Sequence, residues 1–257
     1  MRRLLDAGRE ILHAFYGVYF AGVFLICAVI TLILVLLLPW LRGRRAAARG
    51  AARALFLLTG MGPEVRHESD LPGRPCVVVA NHASYLDGIL LCAVLPPRFA
   101  FVIKSEMQGV PLAHFLLRRI GVQFVERFHH GRSARDARTI LRRAHVGESL
   151  AFFPEGTFQQ EPGLRRFRGG AFAVAMKADA AVVPVVINGS RHALPASRWL
   201  PRPRRLEVTI LEAIEPGDHT ASQLAALSRR QILDHLDEPD LQPAPAAMTT
   251  VTGRADG

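Results

Sequence analysis

The sequence is poor in the residues that build metal centres and disulfide frameworks. Its 257 residues include only three cysteines, Cys27, Cys76 and Cys92, and their spacing matches no metal-ligand pattern. Cys27 lies in a long apolar run and Cys76 begins a shorter one, so both thiols are expected to be small core residues in a reducing compartment. No cysteine metal site is therefore expected, and the chain is expected to need no metal and no cofactor.

Lysine is almost absent as well. Of the 32 basic residues only Lys104 and Lys177 are lysines, and the formal net charge is +10. This excess of arginine predicts attraction to anionic membrane lipids, worth about 1 kcal/mol for each basic residue close to the membrane surface. Nucleic-acid binding fits less well, because no basic strand pattern studded with aromatic residues is present and the main basic cluster adjoins an apolar segment.

Residues 14–41 contain no Asp, Glu, Lys or Arg. About 20 apolar helical residues suffice to cross a bilayer core, so this segment is expected to anchor the chain in a membrane. It is long enough to span the bilayer with tilt, or to form two shorter embedded helices broken near Gly17 and Gly22. A signal peptide is less consistent, since its apolar core is shorter and no small-residue cleavage site follows the run. Aromatic residues typical of membrane interfaces lie near the ends of the segment: Tyr16, Tyr19 and Trp40.

Arginines flank the apolar segment, and five of them lie between residues 42 and 53. The positive-inside rule therefore favours a main domain on the cytoplasmic side, at a bacterial inner membrane. Residues 46–58 alternate arginines with apolar residues and are predicted to lie along the membrane surface. The chain divides into a membrane-anchoring helical region at 1–60, a main domain at 61–236 and a disordered tail at 237–257 rich in Pro, Ala and Thr.

Short apolar runs alternate with helical patterns through the main domain. We expect an α/β fold with a mixed, largely parallel sheet flanked by helices, and polar groups just past the strand ends, where such sheets bind ligands. The predicted strands are 76–80, 99–103, 122–125, 149–153, 181–187 (with Pro184 inside it) and 206–211. The predicted helices are 85–94, 112–120, 133–145, 171–178 and 221–236.

The first of these strands leads directly into Asn81 and His82, with Asp87 five residues after the histidine. Residues five apart in one helix lie about 140° apart around its axis, so His82 and Asp87 can meet only if the chain turns between them. A histidine with a carboxylate beside it is a common general base. The alternative is structural, with Ser84 as a helix N-cap and Asp87 closing a capping box.

Four stretches follow one another along the chain: NHASYLD at 81–87, GVQFVER at 121–127, FPEGT at 153–157 and VVPVV at 182–186. In this order and spacing they resemble the blocks of the phospholipid-synthesis acyltransferase family that includes 1-acylglycerol-3-phosphate acyltransferase. The resemblance covers about residues 75–195.

The resemblance implies transfer of an acyl chain from acyl-CoA or acyl carrier protein to the sn-2 hydroxyl of 1-acyl-sn-glycerol 3-phosphate, which gives phosphatidic acid. His82 would act as general base and Asp87 would orient and stabilise its imidazole, without a covalent acyl-enzyme. Backbone N–H groups at 84–86 are candidate donors to the oxyanion. The residues expected to bind substrate are Asn81, Arg127 on the acceptor phosphate, Glu155, Gly156, Thr157, and with weaker support Lys104 and Arg168.

One position departs from the family pattern. The family's third block usually continues with an arginine that helps to bind phosphate, whereas this chain has Phe158. Arg165, Arg166 or Arg168 would then replace it, or the acceptor is another lysolipid, such as a lyso-ornithine lipid or lysophospholipid. A non-catalytic lipid-binding protein is the remaining alternative. A metal site at His82 and Asp87 lacks further ligands at useful spacing.

Overall fold

A computed structural model describes residues 2–105, 109, 111–125 and 130–242. Seven strands pair in the order β1-β7-β6-β2-β5-β3-β4. They are β1 (Glu64–His67), β2 (Cys76–Ala80), β3 (Phe99–Lys104), β4 (Gln123–Val125), β5 (Ser149–Phe152), β6 (Ala181–Asn188) and β7 (Glu207–Ile210). The helices are α1 (Arg2–Leu37), α2 (Leu41–Leu58), α3 (Leu86–Val94), α4 (Pro111–Arg119), α5 (His130–His145), α6 (Gly170–Lys177), α7 (Ser190–Ala193) and α8 (Ala221–His235).

The sheet is mixed and largely parallel, which confirms the predicted α/β class. Strands β2 to β6 run parallel, β7 is antiparallel to β6, and β1 is parallel to β7. Strand β1 was missed, because its four residues are all exposed and show no apolar alternation. Pro184 lies inside the unbroken strand β6.

Alternate side chains of β2 point to opposite faces of the sheet, as strand geometry requires. Val78 packs in the cluster that contains Phe56 of α2 and Leu90 of α3. Val77 and Val79 pack in the cluster formed by α6 and α8. The central strand is therefore covered on both faces, and only its carboxyl end is left to deliver functional groups.

Helix α1 is continuous, so of the two alternatives the one with two shorter helices broken near Gly17 and Gly22 is wrong. A glycine inside a helix costs only about 1 kcal/mol relative to alanine, and Gly17 also allows close packing, since a Cβ there would lie 2.7 Å from Leu200 Cβ. Residues Gly8–Leu37 are long and apolar enough to cross a bilayer, with a mean hydropathy of 3.1 in the most apolar window. Helix α2 runs back along α1, and the Tyr16 hydroxyl donates a hydrogen bond to the Thr59 carbonyl.

Helix α2 is joined to the sheet by a buried arginine. Arg45, one of the predicted lipid-facing cluster, is only 8% exposed and pairs with Glu148. Its guanidinium also donates to the Ile120 carbonyl. A buried arginine of this kind fixes a helix to its neighbours through directional bonds, so α2 and the sheet form one unit.

The first residues of the predicted tail contact the domain. Asp240 forms a parallel bridge with Leu164, and Glu238 accepts hydrogen bonds from the Gly163 N–H and the Arg191 guanidinium. Arg229 of α8 pairs with Asp240. Residues 237–242 are thus held in place, and the rest of the predicted tail, 243–257, lies outside the described residues.

Candidate active site

The carboxyl end of β2 is joined to β6 by a side chain. Asn81, 2% exposed, donates to the Ile187 carbonyl at 2.9 Å and accepts from the Ile187 N–H at 2.7 Å. Its amide therefore extends the strand pairing beyond Ala80, the last residue of β2. This geometry favours a positioning role for Asn81 over the predicted contact with substrate, and it fixes the point at which the chain leaves the sheet.

The chain turns directly after Asn81 and brings the predicted pair together. His82 Nδ1 lies 2.9 Å from Asp87 Oδ2. The same carboxylate oxygen accepts hydrogen bonds from the N–H groups of Ala83 and Ser84, at 2.7 and 2.8 Å. Because that oxygen is an acceptor for two backbone donors, Nδ1 is assigned as the protonated ring nitrogen, which leaves Nε2 as the basic one.

Asp87 also stabilises the turn before α3. The predicted capping box is not formed as expected, because the N-cap of α3 is Tyr85 and not Ser84. Ser84 Oγ accepts from the Leu86 N–H at 3.1 Å, and Asp87 reaches back to the Ser84 N–H. Asp87 is fully buried, and one oxygen serves both the start of α3 and the histidine. The N–H groups of Ser84 and Leu86 are occupied in this way, so the prediction that residues 84–86 supply the oxyanion donors is left with the Tyr85 N–H and stays a prediction.

Aromatic rings surround the imidazole. The ring of Phe153 stacks on that of His82, with centroids 4.2 Å apart and planes at 19°. The ring of Phe158 meets His82 edge-on at 4.7 Å and also contacts Tyr85 at 4.8 Å. The side chain of His82 remains 18% exposed, so the ring is held in one orientation but is still open to a substrate.

Glu155 connects two distant segments at this site. Its carboxylate accepts a hydrogen bond from the His82 N–H at 2.7 Å and another from the Arg165 N–H at 2.9 Å. Burial raises the pKa of Glu155 to about 7, against the opposing effect of these two backbone bonds. The side chain is 5% exposed and both carboxylate oxygens have backbone partners, so its geometry is that of a positioning residue rather than the predicted substrate ligand.

The comparisons with known proteins agree on one family. Residues 62–188 match the family described as Acyltransferase. The chain is 38% identical over 136 residues to the lyso-ornithine lipid O-acyltransferase of Pseudomonas aeruginosa, a match that covers 51% of this chain and 50% of that protein. It is 32% identical over 178 residues to the human 1-acyl-sn-glycerol-3-phosphate acyltransferase beta, covering 68% of this chain and 64% of that protein.

Residues 62–188 are therefore similar to an acyltransferase-family domain. Its fold is that of the 1-acyl-sn-glycerophosphate acyltransferase PlsC from Thermotoga maritima, with a TM-score of 0.70 at 24% sequence identity. That match covers 90% of this chain and 95% of the Thermotoga chain. The chain spans between half and two thirds of the length of the two curated relatives named above.

The remaining predicted residues of the acyltransferase domain lie at different distances from His82. Lys104 ends β3, and the register with β5 places it level with Asn81 two strands away, about 10 Å across the sheet. Arg168 is exposed, and its N–H donates to the Pro154 carbonyl. Arg127 lies outside the described residues, so its predicted contact with phosphate stays a prediction.

The loop after β5 is shaped by a glycine. Gly156 has a φ of 84°, a conformation that other residues rarely adopt, and its N–H donates to the Phe153 carbonyl at 3.0 Å. This turn places Thr157, which is half-buried, and then Phe158 beside the histidine. The predicted role of Gly156 in site shape agrees with this geometry, whereas the contact of Thr157 with substrate stays a prediction.

Two parts of the site were missed by sequence reasoning. Phe153 was noted only as part of a strand and a motif, and nothing in the sequence indicated that its ring stacks on His82. The bond between Glu155 and the Arg165 N–H was likewise not predicted. Both contacts depend on how a strand end and a loop are placed in space, and neither has a local periodic pattern.

Proposed function

We propose that this acyltransferase-family protein transfers an acyl group from acyl-CoA or acyl carrier protein to a hydroxyl of a lysolipid at a membrane surface. The observation that carries the proposal is the 2.9 Å contact between His82 Nδ1 and the buried Asp87 Oδ2. It leaves Nε2, on a partly exposed ring, as the acceptor for a substrate proton.

In the proposed reaction His82 Nε2 takes the proton of the acceptor hydroxyl as its oxygen attacks the thioester carbonyl. A carbon–oxygen bond forms and the carbon–sulfur bond breaks, and the imidazolium then returns the proton to the leaving thiolate. Asp87 holds the ring and stabilises its positive charge. Base assistance of this kind contributes about 10²–10⁴-fold to the rate, and no acyl-enzyme is required.

The first candidate acceptor is the sn-2 hydroxyl of 1-acyl-sn-glycerol 3-phosphate, which would give phosphatidic acid. The names of the human relative and of the Thermotoga structure support it. An arginine suits the acceptor phosphate because its planar guanidinium offers paired donors. Arg127 is the proposed partner, and the exposed Arg168 beside Pro154 is a second candidate.

The second candidate is a lyso-ornithine lipid. The Pseudomonas relative that carries this activity in its name is 38% identical to the chain over the matched region. Phe158 favours this acceptor, because it places an apolar ring edge 4.7 Å from the His82 ring, where it offers no donor to a phosphate.

Membrane attachment is proposed through the outer face of α1. Large apolar side chains remain exposed from Ile11 to Leu37, a continuous surface that is far too apolar for contact with water. Both ends of the helix are tied to the rest of the chain, by an ion pair between Glu10 and Arg202 and by a bond from Arg119 to the Val35 carbonyl. We therefore expect α1 to lie along the bilayer rather than to cross it alone, with the arginine-rich flanks favouring the cytoplasmic face.

The experiment that tests the function supplies labelled acyl-CoA and acyl carrier protein to the full chain in membranes, with a panel of lysolipid acceptors. Transfer that depends on His82 is expected, and a His82→Ala variant that transfers acyl groups as fast as the parent would remove the base assignment. Faster use of phosphate-free acceptors would replace the first candidate by the second. No transfer to any acceptor from either donor would favour a lipid-binding protein without catalysis.

A further inference from the structure

The loop of residues 195–205, which joins α7 to β7, carries an unusually exposed aromatic side chain. Trp199 is 92% exposed, more than any other large apolar side chain described. The backbone around it is held by bonds from the Arg198 N–H to the Pro195 carbonyl and from the Arg202 N–H to the Ala193 carbonyl. A well-anchored loop that presents an indole to its surroundings is consistent with a surface for a partner.

The loop packs against α1 near the point where the apolar surface of this helix begins. Leu200, the neighbour of Trp199, packs on Gly17, and Arg202 pairs with Glu10. Glu10 is the last charged residue of α1, so this contact marks the level at which the apolar surface begins. The Tyr19 hydroxyl, at the same level, donates to the Leu58 carbonyl, which ends α2.

The charged residues of the loop itself are all arginines. Arg198, Arg204 and Arg205 are exposed, and Arg205 pairs with Glu64 of β1. Indole rings prefer the headgroup level of a bilayer, because one edge is apolar and the N–H donates a hydrogen bond. Guanidinium groups bind phosphate oxygens through paired donors. An aromatic ring flanked by arginines, at the border of an apolar helix face, therefore fits an anionic bilayer better than a protein.

We propose that loop 195–205 is a second membrane contact, in which Trp199 inserts at the headgroup level and Arg198 and Arg204 contact lipid phosphates. This inference rests on the proposed attachment of α1 to the membrane and not on the acyl-transfer reaction. The loop would fix the rotation of the domain about the long axis of α1, because it contacts the bilayer to one side of that helix.

The chain has only two tryptophans, Trp40 and Trp199, which makes the test direct. A Trp40→Phe variant of the full chain, reconstituted in vesicles of phosphatidylcholine and phosphatidylglycerol, reports on Trp199 alone. We expect blue-shifted emission, quenching by lipids brominated in the acyl chain, and protection from aqueous iodide. The matched Trp199→Phe variant reports on Trp40, between α1 and α2.

The quenching of the two tryptophans separates the proposed loop contact from the proposed attachment of α1. If Trp40 is quenched by brominated lipid while Trp199 is quenched only by iodide, the loop contact is wrong and the attachment of α1 stands. If neither tryptophan responds to brominated lipid, both fail. Adding Arg198→Gln and Arg204→Gln should reduce the quenching of Trp199 in anionic vesicles, whereas Arg230→Gln on α8 should not. If Arg230→Gln reduced the quenching as much as Arg198→Gln and Arg204→Gln together, the proposed contact of these two arginines with lipid phosphates would be wrong.

Discussion

Asp87 Oδ2 lies 2.9 Å from His82 Nδ1 and within 2.8 Å of the Ala83 and Ser84 nitrogens, so one oxygen orients the imidazole and closes the turn before α3. The two residues are five positions apart along the chain, and the turn stabilised by Asp87 brings their side chains together. Catalytic geometry and local folding therefore depend on the same atom.

The Asp87→Asn variant is expected to lose both activity and stability. The amide lacks the negative charge that stabilises the imidazolium, so we expect acyl transfer to fall by about 10²–10⁴-fold. Its NH2 group would replace Oδ1, which is buried without a hydrogen-bond partner among the described residues, so an unpaired donor should destabilise the fold by about 1–3 kcal/mol. Transfer rates and thermal unfolding in detergent measure the two effects.

The matched variant for this prediction is His82→Gln. It should lose activity to a similar extent while the bonds from Asp87 to Ala83 and Ser84 persist, so its unfolding temperature should stay closer to that of the parent. Equal destabilisation in both variants would mean that Asp87 stabilises the turn only through the histidine.

The Glu155→Gln variant is expected to change the pH dependence of stability. Burial raises the pKa of Glu155 from its ordinary value of 4.5 to about 7, so the neutral form is favoured in the folded protein. This contribution is complete below about pH 4.5 and is lost as the pH rises through about 7. Across that window the parent should lose on the order of 3 kcal/mol that the glutamine variant, which does not titrate, retains.

Unfolding temperatures measured from pH 5 to pH 8 check this expectation. The variant also loses one bond to a backbone N–H, but that cost does not vary with pH and appears as a constant offset. Parallel curves for the two proteins would show that Glu155 does not titrate in this range.

The Phe158→Arg variant is expected to shift acceptor preference toward 1-acyl-sn-glycerol 3-phosphate and away from a phosphate-free lyso-ornithine lipid. The side chain lies against the His82 ring, so a guanidinium there would be close to the acceptor headgroup. The ratio of kcat/KM values for the two acceptors measures the shift. Phe158→Leu keeps the position apolar and controls for the loss of ring packing. If both variants gave the same ratio of kcat/KM values, residue 158 would have no role in acceptor choice.

Charges on the outer face of α1 should weaken membrane attachment. Leu25 and Leu36 are 63% and 53% exposed, so Leu25→Glu and Leu36→Glu leave the packing against α2 intact. We expect the double variant to move from the membrane fraction toward the soluble fraction on flotation. A matched change, Leu227→Glu at an exposed position of α8, should leave the protein in the membrane fraction. A double variant that floats with the membranes as the parent does would contradict the proposed orientation of α1.

Much of the fold was predictable because its signals are local. The buried strand β2 is a short apolar run, and His82 and Asp87 follow it within seven residues. Residues 14–41, which carry no charge, likewise indicate an apolar helix from the sequence alone. Strand β1 gave no such signal, since an exposed edge strand has no apolar face.

The sequence by itself determined the α/β elements and the proximity of His82 and Asp87 along the chain, because each depends on residues near one another along the backbone. The order of the four motif blocks along the chain likewise indicated the resemblance to the acyltransferase family. Only the tertiary structure decided that Glu155 bonds to the His82 N–H, that Phe158 contacts the imidazole, and that Leu200 packs on Gly17. Each of these contacts joins residues 73 or more positions apart in the sequence. The register of neighbouring strands and the packing of helices on the sheet set such distances, and no local pattern encodes them.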